Sequence, residues 1–249
     1  MPEGPQIRFI KDQSEQFIHQ PVLNAEGDAE GIPLDLIKGQ CLTDIKTYGK
    51  ELLFCFPDFA IRVHLMLFGK YAINGELNRK LRLGFEFENG TLNFYASNCR
   101  IIREPLHKLY DWSLDVMHPT FDKKQALAKL ARKPERLISD ALLDQNILAG
   151  VGNIIKNEVL FRRQVHPEST VGKIPEPVLA QLVQECVKLS FKYLEWKREG
   201  TENEHWSVYR KKICPRDLIP LQKEKIGRQG RTCYFCDKCQ QLYLPDNIA

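Results

Sequence analysis

Apolar and polar residues alternate, in part with a period of two, through several short runs of the first half of the chain. These are Gln40 to Tyr48, Glu51 to Phe56, Ala60 to Met66, Gly69 to Ile73, Leu81 to Phe87 and Thr91 to Tyr95, with turn formers such as Pro57-Asp58 and Asn89-Gly90 between them. Such a pattern predicts half-buried strands joined by tight turns, and so an antiparallel sandwich or barrel. Ahead of them, Gln6 to His19 places Ile7, Ile10, Phe17 and Ile18 at helical spacing, which predicts an amphipathic helix packed on the sheet. From Phe121 the period changes. Lys123 to Lys133 is rich in Ala, Leu and Lys and stops at Pro134, and Glu135 to Asp144 reads as a second helix. Ile154 to Arg163 follows a glycine-containing turn as a third helix. Pro175 to Trp196 is a fourth, with Leu179, Leu182, Val183, Cys186, Val187 and Leu189 on one face. Glu199 to Glu204 reads as a polar linker.

At 249 residues the chain exceeds the usual single-domain size, so two domains sharing a cleft are expected. Its 43% hydrophobic and 27% charged content is that of a water-soluble protein. No apolar run approaches the roughly 18 residues of a membrane span, and no charged-then-apolar leader opens the chain, so a cytoplasmic location is expected. Eight cysteines in such a chain do not read as a disulfide framework. Cys41, Cys55, Cys99 and Cys186 stand among apolar neighbours and read as core residues. Cys214, Cys233, Cys236 and Cys239 crowd into the last quarter. There the net charge of +4 is also concentrated, with nine Lys and Arg against three acidic residues between His205 and Cys239, interleaved with Trp206, Tyr209, Tyr234 and Phe235. An excess of this kind suits a surface that tracks a phosphate backbone, though an isolated charge run better suits a merely solvated face.

The candidate chemistry begins at the first residues, Met1-Pro2-Glu3-Gly4-Pro5. A small second residue lets the initiator methionine be removed and leaves Pro2 as the terminus. An α-amino group titrates near about 8, so much of it is neutral and nucleophilic at physiological pH. Such a secondary amine can attack a sugar C1′ and form a Schiff base, and Glu3 beside it can carry protons. A frayed terminus is the bland alternative. In Gly150-Val151-Gly152-Asn153 two glycines allow close backbone approach. The helix start behind them offers amide groups to an anion, and Asn153 adds a side-chain donor.

Pro2-Glu3-Gly4-Pro5, Tyr48-Gly49-Lys50-Glu51-Leu52-Leu53, Leu142-Leu143-Asp144-Gln145 with Gly150 to Asn153, and Arg231 with Cys236-Asp237-Lys238-Cys239-Gln240 occur in one order along the chain. In that order they resemble the formamidopyrimidine-DNA glycosylase family over nearly the whole length, and within it most the endonuclease VIII branch, which excises oxidised pyrimidines. The resemblance implies an α+β protein of three parts: an N-terminal antiparallel β-sandwich (1–120), a helix-two-turn-helix module (121–204) and a C-terminal zinc-finger-like hairpin (205–249). It also implies a monomer that binds damaged duplex DNA in the cleft between domains and works in base excision repair.

By the same resemblance Pro2 is the nucleophile that displaces the base, Glu3 handles protons at the sugar, and Lys50 contacts the phosphate beside the lesion. Asn153 and Arg231 grip that phosphate region from the second domain. Met66, Leu67 and Phe68 align with the wedge that fills the stack after the base is flipped, with strand-core positions as the alternative. The purine-specific branch places its wedge in a later loop, where this chain has Cys99-Arg100-Ile101, and the segment from Glu199 to Trp206 leaves little room for that branch's lesion-capping loop. Both differences favour pyrimidines. An oxidised-purine enzyme, or a catalytically silent binder of damaged DNA, remains as an alternative. Two positions depart from the family pattern. Gln6 stands where the family has glutamate, which removes any charge-dependent role. Cys214, Cys236 and Cys239 match three of the four zinc ligands, but the fourth position is Asp217, with Cys233 as the other candidate.

Overall fold

Proline near a helix start loses no hydrogen bond, because its missing N–H is one of those a helix leaves unpaired. Helix α1 accordingly spans Gly4–Ser14, two residues ahead of the expected start, in a computed structural model that describes residues 1–245. It also ends early. The Ser14 hydroxyl donates back to the Ile10 carbonyl (2.8 Å), a 3-10 turn over Glu15–Phe17 takes over, and His19 lies at φ +68°, outside any helix.

Next come β1 (Asn24–Glu26), a short α2 (Leu34–Ile37) and strands β2 (Asp44–Tyr48), β3 (Glu51–Cys55), β4 (Ala60–His64), β5 (Lys70–Ile73), β6 (Leu81–Phe87), β7 (Gly90–Tyr95) and β8 (Asn98–Ile102). They pair antiparallel in two four-stranded sheets, ordered β1-β6-β7-β5 and β2-β3-β4-β8. Alternation sends Leu52 and Phe54 of β3 and Ile61 and Val63 of β4 into one core with Leu83, Phe85, Leu92 and Phe94 of the other sheet. Phe54 touches both Phe85 and Phe94 with ring centroids 5.5 Å apart, and Ile7 and Ile10 of α1 close the same core. Each fully buried side chain of this size contributes about 1.5–3 kcal/mol. The expected β-sandwich is thus present.

Several boundaries differ from the sequence pattern. Strand β2 starts at Asp44, because Cys41 forms only an isolated bridge to Pro21. Cys99 and Cys186 are buried as expected, whereas Cys41 and Cys55 are only half-buried. Strand β4 stops at His64, two residues short. Cys99-Arg100-Ile101 lies within β8, a strand and not a loop, paired with β4 through Ala60↔Ile102 and His64↔Asn98.

The contacts divide the chain into two compact units, Met1–Asp111, which also holds the short α3 (Leu106–Leu109), and the remainder from Trp112. In the second unit Asp122 caps α4 (Lys123–Ala131) by accepting the Lys124 and Gln125 N–H groups (2.8 and 3.1 Å). The helix expected over Glu135 to Asp144 is reduced to α5 (Ile138–Ala141). The Ile138 N–H donates to the Ser169 carbonyl (2.8 Å) and Leu137 bridges Thr170, so the chain stays extended up to that point.

Helix α6 covers Asn153–Arg162, and α7 covers Glu176–Glu199 and ends on Gly200 at φ +74°, the left-handed position a helix stop favours. The expected linker at Glu199 to Glu204 is instead the end of α7 plus a 3-10 turn over Glu202–Glu204, held by stacking of His205 on Trp196 (4.3 Å). The hairpin β9 (Gln222–Ile226) and β10 (Arg231–Phe235), in register Arg231↔Ile226, completes the unit.

Candidate functional site

Glu3 is buried at the N-cap of α1, where its N–H donates to Gln6 Oε1 (3.0 Å). Position 6 therefore still closes the start of the helix, since an amide oxygen accepts that bond as a carboxylate does. Pro2, half-buried, precedes the cap. Lys50 is the second residue of the two-residue turn between β2 and β3, set by the pair Tyr48↔Glu51. Gly49, at φ +55°, supplies the left-handed first position such turns need. Lys50 is only 8% exposed, unlike an ordinary strand-end lysine.

One imidazole senses these groups together. Burial and the Arg62 guanidinium hold His64 below the usual histidine range, Lys50 and the N-terminal ammonium act the same way, and Glu51 opposes them. The N-terminal amine, Lys50 and His64 thus share one electrostatic neighbourhood. His64 also shapes the turn after β4, because its Nδ1 accepts the Met66 N–H (3.1 Å). The Gly69 N–H closes that turn onto the Leu65 carbonyl (2.8 Å), and a Cβ on Gly69 would collide with the same carbonyl. Leu65 is buried, while Met66, Leu67 and Phe68 are 47%, 53% and 73% exposed. They form an apolar tip held away from the core. Below it Glu51 pairs with Arg62 (2.5 Å) and accepts from the Tyr110 hydroxyl (2.9 Å), and Arg62 donates to Asn98 Oδ1 (3.1 Å). With Met66 and Arg100 these residues line an open groove of about 570 Å³.

In the second unit Gln145 ties the glycine turn together. Its Oε1 accepts the Gly150 N–H (3.0 Å) and its Nε2 donates to the Leu143 and Val151 carbonyls (2.8 and 3.0 Å). Burial pushes the neighbouring Asp144 carboxyl up, but hydrogen bonds from Arg136, from the Asn146 backbone and from Lys133 outweigh it and leave the carboxyl below its usual range. A depressed carboxyl adds stability above its unfolded value near about 4 and loses it as the pH falls through the folded value. Asp144→Asn is therefore expected to unfold in less urea than the native chain at pH 7, with the gap closing below about pH 4. An equal gap at both pH values would exclude the charge as its cause.

Asn153, the first residue of α6, donates through Nδ2 to the Thr232 carbonyl of β10 (3.0 Å), and its Oδ1 is buried without a hydrogen-bond partner. Asn157 donates to the same carbonyl (3.2 Å) and accepts the Tyr234 N–H (2.8 Å). Lys156, fully buried, reaches Cys233 Sγ (3.0 Å). Two residues on, the buried Glu158 accepts the N–H groups of Ser207, Val208 and Tyr209, each at 2.9 Å. Asp140 of α5 accepts the Arg228 N–H (2.7 Å) in the hairpin turn. Arg231, the first residue of this anchored strand, is exposed. Sequence reasoning passed over Asp140, Lys156, Asn157 and Glu158. The spacing of Asn153, Lys156 and Asn157, which puts them on one helix face, was the available signal.

Cys214, Asp217, Cys236 and Cys239 bring their ligand atoms within 4.8 Å of one another. Asp217 Oδ2 lies 3.5 Å from Cys214 Sγ and 3.3 Å from Cys236 Sγ. Sulfurs on a tetrahedral zinc at about 2.3 Å lie about 3.8 Å apart, and Cys214 and Cys239 are 3.9 Å apart. The set fits a metal. Hydrogen bonding from Cys236 holds the Asp217 carboxyl below its usual range, ready to ligate as an anion. Cys233 stands outside this set, since strand alternation turns it to the other side with Ile226 and Phe235, against Lys156.

Among the described residues no helix is long and apolar enough to cross a membrane. Residues 113–204 match the profile of the formamidopyrimidine-DNA glycosylase H2TH domain. Mouse endonuclease 8-like 3 is 29% identical over 218 residues, covering 84% of this chain, which spans only 36% of that longer relative. The formamidopyrimidine-DNA glycosylase of Halalkalibacterium halodurans is 31% identical over 235 residues, 83% of this chain and 84% of that protein. A crystal structure of Lactococcus lactis formamidopyrimidine-DNA glycosylase, non-covalently bound to DNA containing an abasic site, superposes with a TM-score of 0.85 over 96% of this chain and 99% of that one. At 24% identity this last likeness concerns the fold. With sandwich, helix-two-turn-helix module and cysteine-bearing hairpin in sequence, the chain belongs to the formamidopyrimidine-DNA glycosylase and endonuclease VIII family.

Proposed function

We propose that the protein is a bifunctional DNA glycosylase and abasic-site lyase that removes oxidised pyrimidines from duplex DNA. It acts as a monomer in a bacterial cytoplasm, through a sandwich domain (1–120), a helix-two-turn-helix domain (121–204) and a hairpin domain (205–249). The observation that carries this reading is the place of Pro2, directly ahead of a helix whose N-cap is the buried Glu3, in the same compact unit as the buried Lys50. With Met1 removed, the Pro2 nitrogen attacks C1′ and the damaged base leaves with the bond electrons. The sugar ring then opens to an iminium while Glu3 carries protons at the ring. Loss of a 2′ proton expels the 3′ phosphate by β-elimination, and a second elimination releases the 5′ phosphate. Met66, Leu67 and Phe68 enter the gap left by the extruded nucleotide, and their exposure supports that role. The lesion class is tested by cleavage of a panel of oxidised pyrimidines and purines, and purine preference would overturn it.

Lys50, Asn153 and Arg231 hold the phosphates flanking the lesion. Zinc bound by Cys214, Asp217, Cys236 and Cys239 would be structural, fixing the hairpin that carries Arg231. Removing Lys50 or Arg231 as alanine variants is expected to weaken binding to lesion DNA and to flatten its salt dependence by about one unit of slope per lost phosphate contact. Binding isotherms across a salt series measure this. An unchanged slope for both variants takes them out of the interface.

A further inference from the structure

Lys156 and Cys233 have no exposed surface, and Nζ of the first lies 3.0 Å from Sγ of the second. The Thr232 carbonyl also lies within reach of the same Nζ, at 3.4 Å. Nitrogen and sulfur are at the separation from which a bond can form without rearrangement of the backbone, about 3–3.5 Å for a near-attack pair. The contact joins α6 to β10 one residue from Thr232 and two from Arg231.

We propose that Lys156 and Cys233 form a site of reversible oxidative cross-linking, in which a hydroperoxide joins the two side chains through a sulfur–nitrogen (sulfenamide) bond. The sulfur attacks one peroxide oxygen, the O–O bond breaks, and the hydroxide that leaves takes up the thiol proton, so the products of this step are Cys233 sulfenic acid and water. The lysine ammonium releases one proton to solvent water, which leaves Lys156 neutral. The amine lone pair then attacks the sulfur, the S–O bond breaks, and the departing hydroxyl leaves as a second water with a proton from nitrogen. Sulfur has been oxidised by two electrons and the peroxide reduced by two. Two equivalents of thiol reductant restore the thiol and the amine. Entry of peroxide needs a local opening of the hairpin, and such openings cost less than global unfolding.

The neighbouring chemistry does not compete. Arg216 also touches a cysteine, with Nη1 3.3 Å from Cys239 Sγ, but a guanidinium stays protonated and offers no lone pair. Cys214, Cys236 and Cys239 belong to the metal-binding set. The cross-link itself does not depend on the glycosylase reading.

The experiment uses the full chain with its metal, treated with hydrogen peroxide, quenched with catalase, alkylated at free thiols and digested without reductant. The expected product is a linked peptide pair containing residues 156 and 233, lighter than the two parent peptides by two hydrogens. It should separate on addition of dithiothreitol and be missing from Cys233→Ser and Lys156→Arg. Recovery of Cys233 as an alkylated thiol or as an unlinked sulfinic acid, under conditions that oxidise Cys41 or Cys55, overturns the proposal. So does a linked pair that has gained an oxygen, because the bond is then not sulfur to nitrogen. Fragmentation of the native chain assigns the bond even if the variants fail to fold.

Discussion

A chain from which Met1 cannot be removed gives no borohydride-trapped complex with abasic DNA, whereas Pro2→Gly gives a much reduced one. The difference lies in the nitrogen. With Met1 in place the Pro2 nitrogen belongs to a peptide bond, whose lone pair is delocalised into the carbonyl and does not attack C1′. With Met1 removed and glycine behind it, a primary amine remains at the same end of α1, able to form an imine but without the ring that fixes its direction. Trapping is expected to fall by at least about a hundredfold for the blocked chain, the lower end of what one positioned catalytic group contributes.

The fold should not change. Glu3 caps α1 through its own N–H and Gln6, and Ile7 and Ile10 hold the helix in the core, all downstream of the altered residues. Circular dichroism and the urea midpoint should therefore match the native chain. Undiminished trapping by the blocked protein would assign the chemistry to a lysine, with Lys50, buried in the β2–β3 turn near the same His64, as the first to examine. Loss of trapping together with unaltered lesion-DNA binding separates the enzyme from a silent DNA-binding protein.

The range of each interaction decides how much of it a linear chain reveals. Strands β3, β4, β6 and β7 were legible because each sends two or more large side chains to one core, so the alternation is strong. Strand β8 was not, since Cys99 is its only fully buried residue and Asn98 and Arg100 make it look like a loop. The helix expected over Glu135 to Asp144 has adequate local propensity but gives way to pairing of Leu137 and Ile138 with Ser169 and Thr170, more than thirty residues away. The same limit applies to the candidate site. Motif singled out Pro2, Glu3, Lys50, Asn153 and Arg231, whereas Asp140, Lys156, Asn157 and Glu158 act on backbone groups roughly fifty to ninety residues distant, and the shared helix face of Asn153, Lys156 and Asn157 is their one local sign. The choice between Asp217 and Cys233 needed the face of β10, which becomes readable only once the hairpin register is known.

That choice leads to the other large effect. Purified native protein is expected to contain about one zinc per chain, as a closed tetrahedral site requires, and Cys236→Ser to contain none. Asp217→Cys should keep the stoichiometry and hold the metal more tightly, because structural zinc favours sulfur over oxygen; Cys233→Ser should keep both unchanged, its sulfur being turned toward Lys156. Loss of the metal acts on one end of the hairpin only. Cys214, Cys236 and Cys239 tie its outer end, while Asn153 and Asn157 keep hold of Thr232 and Tyr234, and Asp140 keeps hold of the turn at Arg228. Metal-free protein should consequently stay folded, since the sandwich core lies wholly in Met1–Asp111 and α6 and α7 pack on each other, yet bind lesion DNA at least about tenfold more weakly, a cost of about 1.4 kcal/mol. The loss arises because Arg231 is no longer held in one orientation and must be ordered on binding. Metal analysis and binding of the same preparations decide the matter. Active protein without zinc would remove the metal from the account and leave the α6 contacts alone to position Arg231, while zinc retained by Cys236→Ser but lost from Cys233→Ser would reverse the ligand assignment.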